Sequence, residues 1–329
     1  MKILVFEFIT GGGFAQEELP EPLAKEGLLM LETLIGELAV LTSVELTVLL
    51  DFRVKLLDLP KGIRIIRVGS EQSIYTLLPQ LIELSDWVWP IAPEMNSELE
   101  KISALVESKN KRILNSSLDA VALCSDKFLT YQRLKSKGVS VVDTQKLNKT
   151  SPKFPGKWVV KPKEGVGCID TYLITEEALF KKITSQIEKK TDFIYQPYVK
   201  GESLSLSCLF KDGRGWLLCC NRQIMLNEQN QLKLIACEVN IKTEYLSLYQ
   251  NLVDQVSATI PKLWGYVGID IIQPKEGKPS ILEINPRLTT SYVGIHQAIA
   301  VNVAKAVVEM IEKNPQISRT NNKTITVSI

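Results

Sequence analysis

Three oxygen-bearing side chains at fixed spacing are the first sign of chemistry. They are Asp270, in Gly265-Tyr-Val-Gly-Ile-Asp270, and Glu283 and Asn285, in Ile281-Leu-Glu-Ile-Asn-Pro-Arg287. Apolar and polar residues alternate on either side of the turn-prone Pro274-Lys-Glu-Gly-Lys-Pro279, which predicts a hairpin with strands over 267–273 and 280–285. Glu283 and Asn285, two positions apart, leave one face of their strand. Such donors suit Mg²⁺, which is held by one or two carboxylates together with substrate phosphates. Arg287 follows closely and can grip a phosphoryl oxygen through two N–H groups. A solvated polar face is the bland alternative. The apolar runs around Asp270 and Glu283 weigh against it, because an unpaired buried carboxylate is costly.

A second group of residues suits phosphate. Trp158-Val-Val-Lys-Pro-Lys-Glu-Gly-Val-Gly167 reads as a strand ending in Lys161, then a turn of Glu164, Gly165, Val166 and Gly167. Ammonium and backbone N–H groups of such a turn can cradle an anion. The spacing is neither a P-loop nor G-x-G-x-x-G. Ordinary turn glycines are the alternative, weakened by Lys161, a strand-interior lysine that needs a counter-charge. Lys127, in Ser125-Asp-Lys-Phe, falls in the first turn of an expected helix over 126–138, where a cation opposes the macrodipole unless an anion binds. In Phe193-Ile-Tyr-Gln-Pro-Tyr-Val-Lys-Gly-Glu202, a strand runs into a hinge. Gln196, Tyr198 and Val199 could read an adenine edge there and Glu202 a ribose hydroxyl; a plain strand and glycine turn stays open.

The elements that must position these groups follow from periodicity. Strands are expected over 2–9, 45–51, 63–68, 86–91 and 112–115, between helices over 22–41, 75–84 and 96–109, the last capped by Asn96 or Ser97. That alternation predicts a parallel sheet with helices on both faces. Further strands are expected over 157–163, 171–174 and 192–199, with a helix over 176–189. An antiparallel run over 204–211, 215–225 and 231–238 and a helix over 243–264 precede the hairpin, and a closing helix spans 299–313. The expected division is 1–112, 113–195, 196–315 and a polar tail over 316–329.

Composition narrows the class. A chain of 329 residues exceeds one compact core. Hydrophobic residues at 45% and charged residues at 23% describe an ordinary globular protein. A net charge of +2 without a dominating basic tract argues against nucleic acid. The absence of an eighteen-residue apolar run argues against a membrane span. The opening Met1-Lys-Ile-Leu-Val-Phe-Glu-Phe reads as a strand rather than a signal peptide. Six cysteines without a C-x-x-C pair fit buried thiols in a reducing, cytoplasmic setting. The one histidine, His296, makes histidine chemistry a poor basis for mechanism.

In this order the motifs resemble the ATP-grasp superfamily of carboxylate–amine ligases, over roughly residues 110–312. The resemblance implies an α/β and α+β architecture: an ATP-grasp fold behind an N-terminal Rossmann-like pre-ATP-grasp domain. It implies that Lys127 and Lys161 bind ATP phosphates under a loop of Glu164 to Gly167. It places Gln196, Tyr198, Val199 and Glu202 around the nucleoside. Asp270, Glu283 and Asn285 would hold two Mg²⁺ ions, for which Mn²⁺ can substitute, and Arg287 would steady the transferring phosphoryl group. The implied chemistry is an ADP-forming C–N ligation through an acylphosphate, joining a small-molecule acid to an amine. A homodimer stays open. Two departures count against the D-alanine–D-alanine ligase reaction: Gly268 stands where those enzymes have arginine, and Ser203 where they have a ribose-binding glutamate. Phe6-Glu-Phe-Ile-Thr-Gly-Gly-Gly13 resembles the opening of tyramine–glutamate ligases of methanofuran-type cofactor synthesis. That likeness implies that Glu7, Thr10, Gly11, Gly12 and Gly13 face a substrate, with a flexible turn as the alternative. A small-molecule kinase and an inactive ATP-binding module are the competing functions.

Overall fold

Buried β-branched and leucine-rich runs at the start of the chain form a parallel sheet. Its strands are β1 (Lys2–Glu7), β2 (Glu45–Asp51), β3 (Arg64–Val68), β4 (Trp87–Ile91) and β5 (Arg112–Ile113), in the order β3-β2-β1-β4-β5. Helices α1 (Glu21–Ala39), α2 (Ile74–Glu83) and α3 (Glu98–Ser108) connect them. The computed structural model describes residues 1–55, 60 and 62–329. Of the two caps expected for α3, Ser97 occupies the position, in a left-handed conformation and without a side-chain capping hydrogen bond.

Two helices bridge to the second sheet, α4 (Leu118–Ser125) and α5 (Lys127–Ser136). The first was not anticipated, because its eight residues carry only a short apolar pattern; Ser117 caps it by accepting from the Ala120 N–H. The second begins where Asp126 accepts from the N–H groups of Phe128 and Leu129, as favoured N-caps do.

The second sheet comprises β6 (Gln145–Lys146), β7 (Trp158–Pro162), β8 (Tyr172–Ile174), β9 (Phe193–Pro197), β10 (Glu202–Lys211), β11 (Arg214–Glu228), β12 (Gln231–Val239), β13 (Gly265–Gln273), β14 (Ser280–Asn285) and β15 (Ile325–Ser328). The order is β14-β13-β10-β11-β12-β8-β7-β9-β6, with β15 beside β12. Its neighbouring strands pair antiparallel throughout, and its two halves join where β12 meets β8 at Gln231–Tyr172. Helices α6 (Glu177–Gln186) and α7 (Leu246–Thr259) flank it, followed by α8 (Tyr292–Ile299) and α9 (Val303–Glu309). The closing helix expected over 299–313 is corrected to the shorter α9, and α8 before it was not expected. The chain breaks at Ala300, whose φ of 56° is left-handed, and restarts at Asn302, which caps α9. The polar final stretch adds a strand, with Val327 opposite Cys237.

Candidate active site

The expected hairpin forms, and its register sets the site. Asp270 on β13 lies directly opposite Glu283 on β14, and Gly268 opposite Asn285. Small residues make that face approachable, since a side chain at Gly268 would run into Thr289. Asn285 donates to Asp270 at 3.3 Å, leaving its amide oxygen for another partner. Glu283 receives both expected cations: its Oε2 lies 3.4 Å from Lys161 Nζ and 3.5 Å from Lys127 Nζ. β7 delivers Lys161 and the first turn of α5 delivers Lys127, which also donates to the Gly165 carbonyl at 3.3 Å. Both lysines are buried.

The charges are uneven. Burial and the facing Glu283 push Asp270 upward, whereas Lys127 and Lys161 overcome burial and hold Glu283 low. The donor set fits Mg²⁺: hard oxygen ligands from two carboxylates and an amide, with room for phosphate oxygens. Among the described residues no group of three His, Cys, Asp or Glu side chains could hold a metal. An ion at Asp270 and Glu283 would therefore depend on a substrate's oxygens as well.

These groups floor a cavity of about 410 Å³. Val159, Ile169, Met225, Leu232, Ile272 and Leu282 give it apolar walls, and Gln196 to Val199 with Glu202 line it as well. A flat base between apolar walls beside two lysines suits a nucleotide. Gln196 is buried and donates to Thr144 at 2.9 Å, while the Tyr198 N–H is taken by the Lys157 carbonyl. Glu202 is exposed and pairs with Arg222 at 3.2 Å. Gly165 and Val166 line the cavity, but Glu164 turns toward Lys163 at 3.5 Å.

Gly167, Asn285 and Arg287 line a smaller hollow, about 60 Å³, on the other side of the Asp270–Glu283 wall, with Glu26, Thr289 and Thr290. Glu7 lines an adjoining hollow with Glu26, Gly167 and Arg287. Glu7 is buried beneath α1, where it accepts from the Ile9 N–H, the Thr10 N–H and the Thr10 hydroxyl. Burial raises it to about 7, against the lowering by those hydrogen bonds. Gly12 and Gly13 line a different hollow, beside Phe14 and Tyr75. Packing accounts for the three glycines: a side chain at Gly11 would meet Phe6, at Gly12 Val68, and at Gly13 the Phe8 carbonyl. Exposed on α8, His296 lines neither of the Asp270–Glu283 cavities. Glu94 was missed by sequence reasoning. It grips Arg287 through two hydrogen bonds, and no local pattern links positions 193 apart.

Known proteins resemble this chain in sequence and fold. Over 295 residues the chain is 29% identical to the tyramine–L-glutamate ligase of Methanocaldococcus jannaschii, covering 89% of this chain and 84% of that protein. The same-named ligase of Methanocaldococcus fervens is also 29% identical over 295 residues, with 89% of each chain covered. A crystal structure described as a putative ATP-grasp superfamily protein from Archaeoglobus fulgidus superposes with a TM-score of 0.74 at 23% identity, covering all of this chain and 92% of that one. Residues 44–121 match the pre ATP-grasp 3 domain and residues 124–291 the ATP-grasp domain. With the second match spanning just over half of its length, the chain belongs to the ATP-grasp family.

Proposed function

We propose that this protein is an ATP-dependent carboxylate–amine ligase that forms an amide, ADP and phosphate. The observation that carries this reading is the convergence of Lys127 and Lys161 on Glu283, opposite Asp270, at the floor of a nucleotide-sized cavity. The lysines hold the phosphates of ATP. Arg287, on the far side of the carboxylate wall, steadies the group in transit. Bound at Asp270, Glu283 and Asn285, Mg²⁺ supplies charge neutralisation of the phosphates. The substrate carboxylate takes the γ-phosphoryl group to give an acylphosphate, and an amine then displaces phosphate. Catalysis of this kind rests on positioning and electrostatics and calls for no histidine.

The finer reading is glutamate as the acid and tyramine, or a related amine such as tyrosine, as the acceptor, in methanofuran- or methylofuran-type cofactor synthesis. Its support is the 29% identity that extends along 89% of the chain. Six cysteine thiols without disulfides suit a cytoplasmic setting. No helix among the described residues is long and apolar enough to cross a membrane. The test is incubation with Mg-ATP, glutamate and a panel of amines, with products identified by mass. ADP with an amide supports ligation. AMP contradicts the acylphosphate route, and a phosphorylated alcohol points to a kinase.

A further inference from the structure

Arg287 leaves the end of β14 with its side chain only 11% exposed, and Glu94, 4% exposed, meets it edge-on. Arg287 Nε donates to Glu94 Oε1 at 2.8 Å, and Nη2 to Oε2 at 2.7 Å. A third donor, Nη1, reaches the Leu288 carbonyl at 3.1 Å. A guanidinium carries five N–H donors in one rigid plane. The partners found among the described residues use three of them, and the same side chain lines the hollow shared by Asp270, Glu283 and Asn285.

Glu94 comes from the other side of the molecule, on the turn after β4 in the parallel sheet. That turn continues through Asn96 and Ser97 at φ 55° and 56°, two successive non-glycine residues in the left-handed region. Backbone of this kind persists where its surroundings over-determine it. Buried ion pairs add little net stability, because desolvating both ions offsets their attraction. Orientation is the better account of this one.

We propose that Glu94 is the positioning residue for Arg287. It grips one edge of the guanidinium from the N-terminal sheet, so that the remaining donors face the anionic oxygens of the reacting group. The inference rests on the ligase reading above. Glu94 makes and breaks no bond; it ties the readiness of Arg287 to the docking of the parallel sheet on β14.

The test uses the full chain carrying Glu94→Gln, Arg287→Ala, or both. The probes are Mg-ADP alone, Mg-ADP with aluminium fluoride as a stand-in for the phosphoryl group in flight, and initial rates with glutamate and an accepted amine. Mg-ADP affinity should stay within about twofold of the unchanged protein in all variants, since neither residue lines the nucleotide cavity. In Glu94→Gln the affinity gained on adding fluoride should fall about tenfold, and kcat should fall with little change in KM for ATP. The double variant should match Arg287→Ala, because the pair acts as a unit. Independent, additive losses would overturn the proposal, as would wild-type fluoride binding in Glu94→Gln. Should Glu94→Gln fail to fold, Glu94→Asp keeps the charge but retracts it by one methylene, and an unchanged kcat there overturns the proposal equally. The two readings fail separately. A protein that makes no amide with any amine sinks the ligase assignment, whereas the fluoride titration reads Glu94 without acid or amine.

Discussion

At the scale of residues, the site sets two lysines and two facing carboxylates against each other. Glu283 is the member both lysines contact, so on the proposed reading its charge governs where phosphates and cation would sit. Glu283→Gln keeps shape and removes that charge. Turnover should fall by about a hundredfold or more, while the thermal midpoint stays close to that of the unchanged protein. Normal ATP consumption in that variant would remove Glu283 from the metal assignment. Lys161→Ala should act differently, raising KM for ATP about tenfold or more through loss of a phosphate contact. An unchanged nucleotide affinity would take Lys161 out of the site. Most of these residues were legible in the sequence because their signals are local: a strand-interior lysine, a hairpin, two donors at spacing two. Glu94 and Glu26 were not, since each meets the hairpin segment only through tertiary docking, Glu26 by accepting from the Thr290 hydroxyl.

Among the elements, α1 shows how a helix serves the site by joining the two sheets. Its Glu37 is buried against the second half of the chain, accepting from the Tyr292 hydroxyl at 2.9 Å and the Ala304 N–H at 2.8 Å. Its other oxygen has no partner among the described residues. Burial, outweighing those hydrogen bonds, raises Glu37 from 4.5 to about 7. The folded chain thus keeps a proton that the unfolded chain releases above about 4.5. The stability linked to it is complete below that pH and is lost as pH rises through about 7, up to about 3 kcal/mol. Glu7, raised for the same reason, adds to the slope. The thermal midpoint should therefore fall between about pH 5 and pH 8, and Glu37→Gln should remove roughly half of that fall. An identical pH profile in the variant would show that Glu37 does not titrate in this range. The sequence placed α1 well, from its apolar period, but began the closing helix at 299, where α8 ends, and missed α8. Ala300 carries no sign of its left-handed backbone, and the Ala304 N–H that meets Glu37 at the start of α9 is a contact between positions 267 apart.

For the whole molecule, the candidate site is held together by a core that ignores the boundary between the two sheets. One hydrophobic cluster contains Ile3, Val5, Leu31 and Trp89 from the N-terminal part together with Leu209, Tyr266, Leu288 and Tyr292 from the second. Polar ties cross the same seam: Glu94 with Arg287, Glu26 with Thr290, and Glu37 with Tyr292. The sequence revealed both sheets, since each has its own periodicity, but not their union, because no pattern along the chain encodes which apolar faces meet. Two independently folding bodies would expose only surface when separated. Here a cut would strip cover from Tyr266 and Tyr292, which are 2% exposed or less, and leave Arg287 without its carboxylate partner. The intact chain should therefore unfold in one cooperative transition by calorimetry and circular dichroism together. A fragment beginning at residue 116 should aggregate or bind an apolar-surface dye, and should lose Mg-ADP-induced stabilisation. A fragment that folds and binds Mg-ADP like the full chain would show that the N-terminal sheet serves the substrate side alone.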